Sequence, residues 1–236
     1  MTQVRWVRRI QWLLVLSLPV LLLAVNLRLV TGNWFVRWEY GRAGFPPDPF
    51  GLSTKERIRL AEVCQEYLAT NADISLLADL KLSSGEPAFN QRELRHMADV
   101  QAVYLDLTIA GAIAALIWVG GATALVVSGR AREVIPATLL NGSLFTLSLL
   151  AAVASFMVVS WGLFFTTFHR VFFEGNTWTF PPSDTLIRLF PNRFWVDIGA
   201  AIVGALFVEA LAIGVASRLW RGKRSVRNSK RIPPGA

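Results

Sequence analysis

Four long apolar stretches divide the chain, and the polar segments between them carry most of its charge. The stretches cover roughly residues 11–30, 103–128, 137–164 and 195–219. A helix of about 20 apolar residues is long enough to cross a hydrocarbon core about 30 Å thick. The pattern therefore predicts an all-α membrane protein with four transmembrane helices.

The composition agrees with this prediction. Of the 236 residues, 53% are hydrophobic and 17% are charged, which is more apolar and less charged than a typical soluble domain. The formal net charge of +8 would suggest nucleic-acid binding if it lay on one face of a soluble module. Because the charge is instead distributed around apolar stretches, we do not expect a nucleic-acid partner.

The basic residues beside the stretches predict the orientation of the chain in the membrane. Twelve of them precede the first stretch, separate the second from the third, or follow the fourth: Arg5, Arg8, Arg9, Arg130, Arg132, Arg218, Arg221, Lys223, Arg224, Arg227, Lys230 and Arg231. Glu133 is the only acidic residue among them. Because Lys and Arg are concentrated in cytoplasmic loops, we predict that both termini are cytoplasmic.

This topology divides the chain into parts with different environments. Residues 1–30 form a cytoplasmic N-terminus and the first transmembrane helix, and residues 31–102 form an extracytoplasmic segment. Residues 103–219 contain the other three transmembrane helices, with an aromatic extracytoplasmic loop over 165–194. Residues 220–236 form a basic cytoplasmic tail. Chemistry in water would therefore take place at the outer face of the membrane.

The segment before the second transmembrane helix contains two helix starts. Ser53 and Glu56 have the spacing of a capping box, which opens a helix through about Leu68. Asn90 and Glu93 repeat that spacing and open a helix that continues into the second transmembrane helix. A small helical domain is therefore expected between the first two transmembrane helices.

The two histidines of the chain are predicted to lie in the same layer. His96 lies about two turns into the helix that opens at Asn90, and His169 follows the outer end of the third transmembrane helix. On its helix, His96 shares a face with Arg92 and Asp99. The Asp99 carboxylate could fix the tautomer of His96, as carboxylates do for general bases. The alternative is a solvated helix surface on which His96 only bridges charges.

His169 lies in an aromatic environment, within the sequence FHRVFFEGNTWTF. Such surroundings exclude water and shift proton affinities, which suits a catalytic base. Glu174 and Trp178 are its candidate supporting residues. The alternative is an aromatic belt, because amphipathic rings are enriched at membrane interfaces whatever the function.

Three further ionisable residues, Arg28, Asp106 and Asp197, lie near the outer ends of the spans, and Glu209 lies deeper in the fourth span. Arg28 closes the first span, and Asp197 opens the fourth. Charges at this depth are costly and usually face a polar interior, so the three outer residues could converge below the histidines, with Arg28 and Asp197 as candidates for positioning a substrate.

Several chemistries lack their defining residues. The chain has no HExxH helix, no GxSxG elbow and no Walker loop, which excludes zinc peptidases, α/β-hydrolases and P-loop nucleotide enzymes. Cys64 is the only cysteine, and its predicted helix supplies no base within one turn, so we expect a small buried residue. The histidines and carboxylates match no recognised metal signature, and neither a metal nor a cofactor is predicted.

Two motifs resemble those of a known family. FNQRELRHMADV at 89–100 and FHRVFFEGNTWTFPPSDTLIRLFPNRFW at 168–195, set among four spans, are similar to a family of bacterial four-helix integral membrane proteins that includes the lipoprotein intramolecular transacylase. This chain departs from the family pattern at Met97, where phenylalanine is frequent, and at Gln101, where lysine is common.

The resemblance implies an acyltransferase of the bacterial cytoplasmic membrane with its active site at the outer face. Its substrates would be diacylated lipoproteins, with membrane lipids around them. The enzyme would move the sn-2 acyl chain of the diacylglyceryl group to the α-amine of the N-terminal cysteine of the same lipoprotein. The family's two catalytic histidines correspond to His96 and His169. The competing hypothesis is a non-enzymatic membrane module that binds a protein or lipid at its extracytoplasmic face.

The predicted topology can be tested with single cysteines at positions 85 and 183 in a Cys64→Ser background. We expect a membrane-impermeant maleimide to label both positions from the outside, because the basic clusters place both segments there. Labelling that requires access from the cytoplasmic side would contradict the topology.

Overall fold

The computed structural model of the protein describes residues 2–173, 175 and 178–229. Within these residues the chain forms nine α-helices and a single isolated β-bridge, between Lys81 and Pro87. In chain order, the helices are α1 Thr2–Val30, α2 Asn33–Gly41, α3 Thr54–Thr70, α4 Ser75–Ala78, α5 Gln91–Val127, α6 Ala131–Val159, α7 Trp161–Phe172, α8 Thr185–Leu189 and α9 Asn192–Ser229. The prediction of an all-α protein is confirmed.

Four helices, α1, α5, α6 and α9, are long and apolar enough to cross a membrane. This confirms the predicted number of transmembrane helices. The first three turns of α5, residues 91–102, carry four charged side chains and precede the apolar run, so we treat the membrane-spanning part of α5 as beginning near residue 103.

The third span ends earlier than predicted. We expected it to continue to residue 164, but α6 ends at Val159 and a separate helix, α7, follows. Ser160 has an extended backbone, and its hydroxyl accepts a hydrogen bond from the Leu163 N–H at 3.3 Å. A serine that caps a new helix in this way interrupts the old one, even inside an apolar sequence.

The described residues fall into two compact units, whose boundaries cut through the long helices. The first unit lies within Met1–Val25, Ala110–Ser155 and Val203–Ala236. Its helices approach each other closely at small residues: a Cβ atom on Gly142 would meet the Leu18 side chain at 2.8 Å, and Ser143 donates a hydrogen bond to the Ala210 carbonyl. Small residues at contact points are typical of helix packing in membranes.

The second unit comprises Asn26–Ile109 and Phe156–Ile202. Its core is a cluster of buried apolar residues contributed by α2, α3, α5, α8 and the start of α9, with Phe35, Leu60, Tyr67, Leu189 and Phe194 among the most deeply buried. Both histidines belong to this unit.

Only half of the predicted capping box at the start of α3 forms. The Ser53 hydroxyl accepts from the Glu56 N–H at 3.2 Å, as expected. The Glu56 carboxylate, however, accepts from the N–H of Ser83 at 2.6 Å. Glu56 therefore fixes the turn before α5 instead of closing its own helix.

The capping box at the start of α5 is complete and has a third bond. The Asn90 side-chain oxygen accepts from the Glu93 N–H at 3.1 Å, and Glu93 accepts from the Asn90 N–H at 2.8 Å. The other carboxylate oxygen of Glu93 accepts from the Leu186 N–H at 2.7 Å. Glu93 is only 1% exposed. This carboxylate therefore ties the start of α5 to the start of α8.

Replacing Glu93 should destabilise the second unit. Glu93→Ala would leave the N–H groups of Asn90 and Leu186 without their acceptor, at a cost of about 1–3 kcal/mol for each buried donor. We expect a clearly lower melting temperature of the detergent-purified protein, whereas Glu66→Ala, at an exposed glutamate of α3, should melt like the wild type. Equal melting temperatures for the two variants would contradict the role of Glu93.

Candidate active site

His169 is oriented by the backbone of its own helix. Its Nδ1 lies 2.8 Å from the carbonyl oxygen of Phe165, one turn earlier in α7. Because a carbonyl can only accept a hydrogen bond, Nδ1 carries the proton and Nε2 carries the free lone pair. Glu174, the carboxylate predicted to support His169, lies outside the described residues.

His96 faces aromatic side chains. Its ring centroid lies 5.0 Å from that of Phe173 and 5.2 Å from that of Phe180. Its Nδ1 is buried and has no hydrogen-bond partner among the described residues. Asp99 is exposed. The expectation that Asp99 fixes the tautomer of His96 is therefore corrected: α5 turns His96 toward Phe173 and Phe180 and leaves Asp99 on an open surface.

The structure brings the two histidines together. Their ring centroids are 6.3 Å apart, and the ring planes are inclined by only 20°. Phe173 lies beside both rings, 5.4 Å from His169. Trp178, predicted as a supporting residue, lies 4.9 Å from His169. Two rings from α5 and α7 thus share one aromatic pocket.

Burial keeps both histidines neutral. It lowers the pKa of His96 to about 4, and the neighbouring His169 lowers it further. Burial also lowers the pKa of His169, against the opposing effect of the Phe165 carbonyl. Both side chains lie outside the membrane-spanning segments defined above. At neutral pH the pair therefore offers lone pairs and N–H donors and carries no positive charge, which argues against a protonated His96.

Arg92 also lies near the histidine pair. The sequence assigned it no role, although it shares a helix face with His96. One terminal nitrogen donates to Asp184 at 2.7 Å, and the guanidinium carbon lies 5.5 Å from the ring centroid of Phe180, which also contacts His96. Its Nε is buried without a partner. The signal in the sequence was its position one turn before His96.

Unpartnered polar atoms are concentrated in this pocket. Among the described residues, four buried side-chain nitrogens lack a hydrogen-bond partner: Arg92 Nε, His96 Nδ1, Trp118 Nε1 and Trp178 Nε1. All but Trp118 belong to the pocket around the two histidines. Buried donors and acceptors are normally paired in folded proteins, so a cluster of unpaired ones marks a place where a ligand can bind.

Arg28 and Asp197 have other partners. Arg28 donates to the Ala69 carbonyl at 2.9 Å and to the Tyr104 hydroxyl at 3.3 Å, and Tyr104 lies eight residues, about 12 Å, along α5 from His96. Asp197 pairs with Arg42 at 3.0 Å and with Arg193. The expectation that both converge on the histidines is thus corrected, because each is engaged in holding helices together.

Among the described residues, Cys64 and the carboxylates form no reactive cluster. Cys64 is 1% exposed in the core of the second unit, and burial raises the pKa of its thiol, with a smaller contribution from Glu93. Across the described part of the chain, no three His, Cys, Asp or Glu side chains are grouped as a metal site requires.

Comparisons with known proteins converge on one family. A family model described as "Lipoprotein intramolecular transacylase Lit" matches residues 10–195. A protein of Aquifex aeolicus (strain VF5), described as uncharacterized, is 30% identical over 203 residues, which cover 86% of this chain and 88% of that protein.

The fold is also found in solved structures. The membrane integral lipoprotein intramolecular transacylase Lit from Bacillus cereus matches with a TM-score of 0.78 at 19% identity, over 94% of this chain and 99% of that one. Two variants of the same enzyme, in which a histidine is replaced by arginine or by alanine, match with a TM-score of 0.74. At this identity the likeness is one of fold.

The Cys64 thiol should be unreactive in the folded protein. Because it is buried and protonated, we expect a small maleimide to label it at least tenfold more slowly than a surface cysteine introduced by Ser84→Cys in a Cys64→Ser background. Denaturation should remove the difference. Rapid labelling of Cys64 in the folded protein would show that the thiol is accessible and would contradict its burial.

Proposed function

The chain belongs to the family of the lipoprotein intramolecular transacylase, a family of membrane acyltransferases, and from this premise we propose that it moves an acyl chain within a bacterial lipoprotein. The chain would leave the sn-2 position of the diacylglyceryl group and join the α-amine of the N-terminal cysteine of the same molecule. The observation that carries the proposal is the pair of neutral histidines, His96 and His169, in a pocket with unpaired polar atoms.

His169 is suited to be the general base. The reference pKa of an α-amine is near 8, so the substrate must lose a proton before its nitrogen can attack an ester. The hydrogen bond from His169 Nδ1 to Phe165 leaves Nε2 free to accept that proton. Because neither histidine is charged at rest, neither repels the substrate ammonium.

The reaction then needs two proton transfers, one from the amine to the base and one to the leaving glycerol oxygen. The amine nitrogen bonds to the ester carbonyl carbon while His169 takes its proton. The carbon–oxygen bond to glycerol breaks next, and the protonated His169 returns this proton to the leaving oxygen. His96, which burial keeps neutral, would assist through a hydrogen bond to the reacting groups, since its buried Nδ1 has no partner among the described residues. The products are an amide and a free hydroxyl, and no water or cofactor is consumed.

Arg92 and Trp178 would stabilise the negative charge that forms on the ester carbonyl oxygen. Both have a buried N–H donor without a partner beside the histidines. Donors that are fixed in a site before the reaction cost no reorganisation when charge develops, which makes them effective in transition-state stabilisation. The salt bridge to Asp184 would hold the Arg92 side chain in place.

The aromatic wall would favour transfer over hydrolysis. Phe173 is buried and contacts both histidines, and Phe180 contacts His96. Excluding water from the pocket would leave the amine as the available nucleophile. Since amine and ester belong to one molecule, holding them in line would supply much of the rate enhancement.

The proposed location follows from the basic clusters. The protein would span the bacterial cytoplasmic membrane four times, with both termini in the cytoplasm and the histidine pocket at the outer face. Diacylated lipoproteins would reach the pocket from the outer leaflet, where their acyl chains are anchored among membrane lipids.

The proposal predicts that both histidines are required. His96→Asn and His169→Asn should each lower transacylation by about 10² or more, the scale expected from loss of general acid–base assistance. The double variant should be little worse than either single variant, because residues that act as a unit are not additive. Mass spectrometry of lipoprotein N-termini from cells that express each variant measures the N-acyl, S-monoacylglyceryl product.

One matched pair and one further variant serve as controls in the same assay, with protein abundance measured for every variant. Trp178→Phe keeps an aromatic ring but removes the N–H donor, and should lower activity at least tenfold, whereas Trp118→Phe, at the unpaired tryptophan of the first unit, should not. Asp99→Asn should be as active as the wild type. Near wild-type activity in both histidine variants at normal abundance would refute the proposal.

A further inference from the structure

A groove in the first unit has the chemistry of a lipid site. It has a volume of about 570 Å³ and is lined by residues near the start of α1, by residues of α6, and by Arg130 just before α6. Part of its wall is apolar and open: Trp12 is 57% exposed, Leu16 51% and Leu144 46%. The rest of the wall carries the polar side chains Arg8, Gln11, Arg130 and Asn141, together with the buried Thr138.

Four of these five polar side chains have no partner in the part of the chain that the structure describes. The Thr138 hydroxyl donates to the Val134 carbonyl at 2.8 Å and is satisfied. Among the described residues, no side-chain hydrogen bond or ion pair engages Arg8, Gln11, Arg130 or Asn141. An amide or a guanidinium at the edge of a hydrocarbon layer is costly unless something satisfies it, so the groove calls for a polar occupant.

The charge of the wall defines that occupant. Two arginines line the groove and no carboxylate does, so the occupant carries negative charge. A guanidinium binds phosphate oxygens through several parallel N–H donors. Gln11 lies one turn, about 4.5 Å, along α1 from Arg8. If the phosphate of a lipid is at Arg8, the Gln11 amide lies at the depth of the glycerol esters of that lipid. The exposed apolar wall beyond it fits an acyl chain.

We propose that this groove binds one anionic phospholipid from the leaflet at the arginine-bearing end of α1. The phosphate lies between Arg8 and Arg130, the glycerol esters lie near Gln11, and one acyl chain lies along Trp12, Leu16 and Leu144. A zwitterionic lipid binds less well, because its ammonium group meets two guanidinium groups. This site does not depend on the proposed transacylase activity.

Lipid binding to the detergent-purified protein tests the site. Native mass spectrometry counts bound phosphatidylglycerol and phosphatidylcholine, and melting temperatures are measured with and without each lipid. We expect one phosphatidylglycerol to bind at least tenfold more tightly than phosphatidylcholine. The Arg8→Gln/Arg130→Gln double variant should lose about tenfold or more of this affinity, because both cations that face the lipid phosphate are removed.

The control variants separate a site from general surface charge. Arg5→Gln/Arg9→Gln removes the same charge at exposed positions outside the groove and should retain the preference for phosphatidylglycerol. Arg8→Lys/Arg130→Lys keeps both charges and should retain most of the affinity, and the variants should melt alike without lipid. Equal binding of the two lipids by the wild type, or an equal loss of affinity in the Arg5/Arg9 and Arg8/Arg130 glutamine variants, would overturn the proposal.

Discussion

The buried carboxylate of Glu93 joins the helix that carries His96 to the start of α8. It completes the cap of α5, on which His96 lies one turn further. It also accepts the N–H of Leu186, six residues after Phe180, whose ring contacts His96. A buried carboxylate is costly unless donors satisfy it. These two N–H donors satisfy Glu93. The bond from Leu186 also joins two parts of the chain that are 93 residues apart, so the same carboxylate stabilises the fold and the helix that carries His96.

Burial then sets the chemistry of the pocket. The aromatic rings around His96 and His169 lower the pKa of both imidazoles, and the Phe165 carbonyl fixes the tautomer of one of them. A carboxylate beside the histidines would instead favour their charged forms. The exposed position of Asp99 is therefore consistent with the proposed role of a neutral general base. Such a base can accept a proton from an ammonium group without first losing its own.

The sequence predicted what depends on local spacing. Hydrophobic runs indicated the four transmembrane helices, and the box at Asn90 and Glu93 indicated the start of α5, because these signals involve residues within a few turns. It failed where the partner is distant: Glu56 binds Ser83, 27 residues away, and Glu93 binds Leu186, 93 residues away. The break at Ser160 was missed because a serine inside an apolar run gives no signal until its hydroxyl is seen to cap a new helix.

In the proposed reaction, the acyl chain moves within one lipoprotein molecule. The most direct test is reconstitution of the purified protein in vesicles with two diacylated lipopeptides, one isotopically labelled in both its sn-2 acyl chain and its peptide and the other unlabelled. We expect labelled acyl chains only on the amines of labelled peptides, and none when His96 and His169 are replaced by asparagine. Labelled chains on unlabelled peptides, or no N-acylated product from the wild-type protein, would contradict the account.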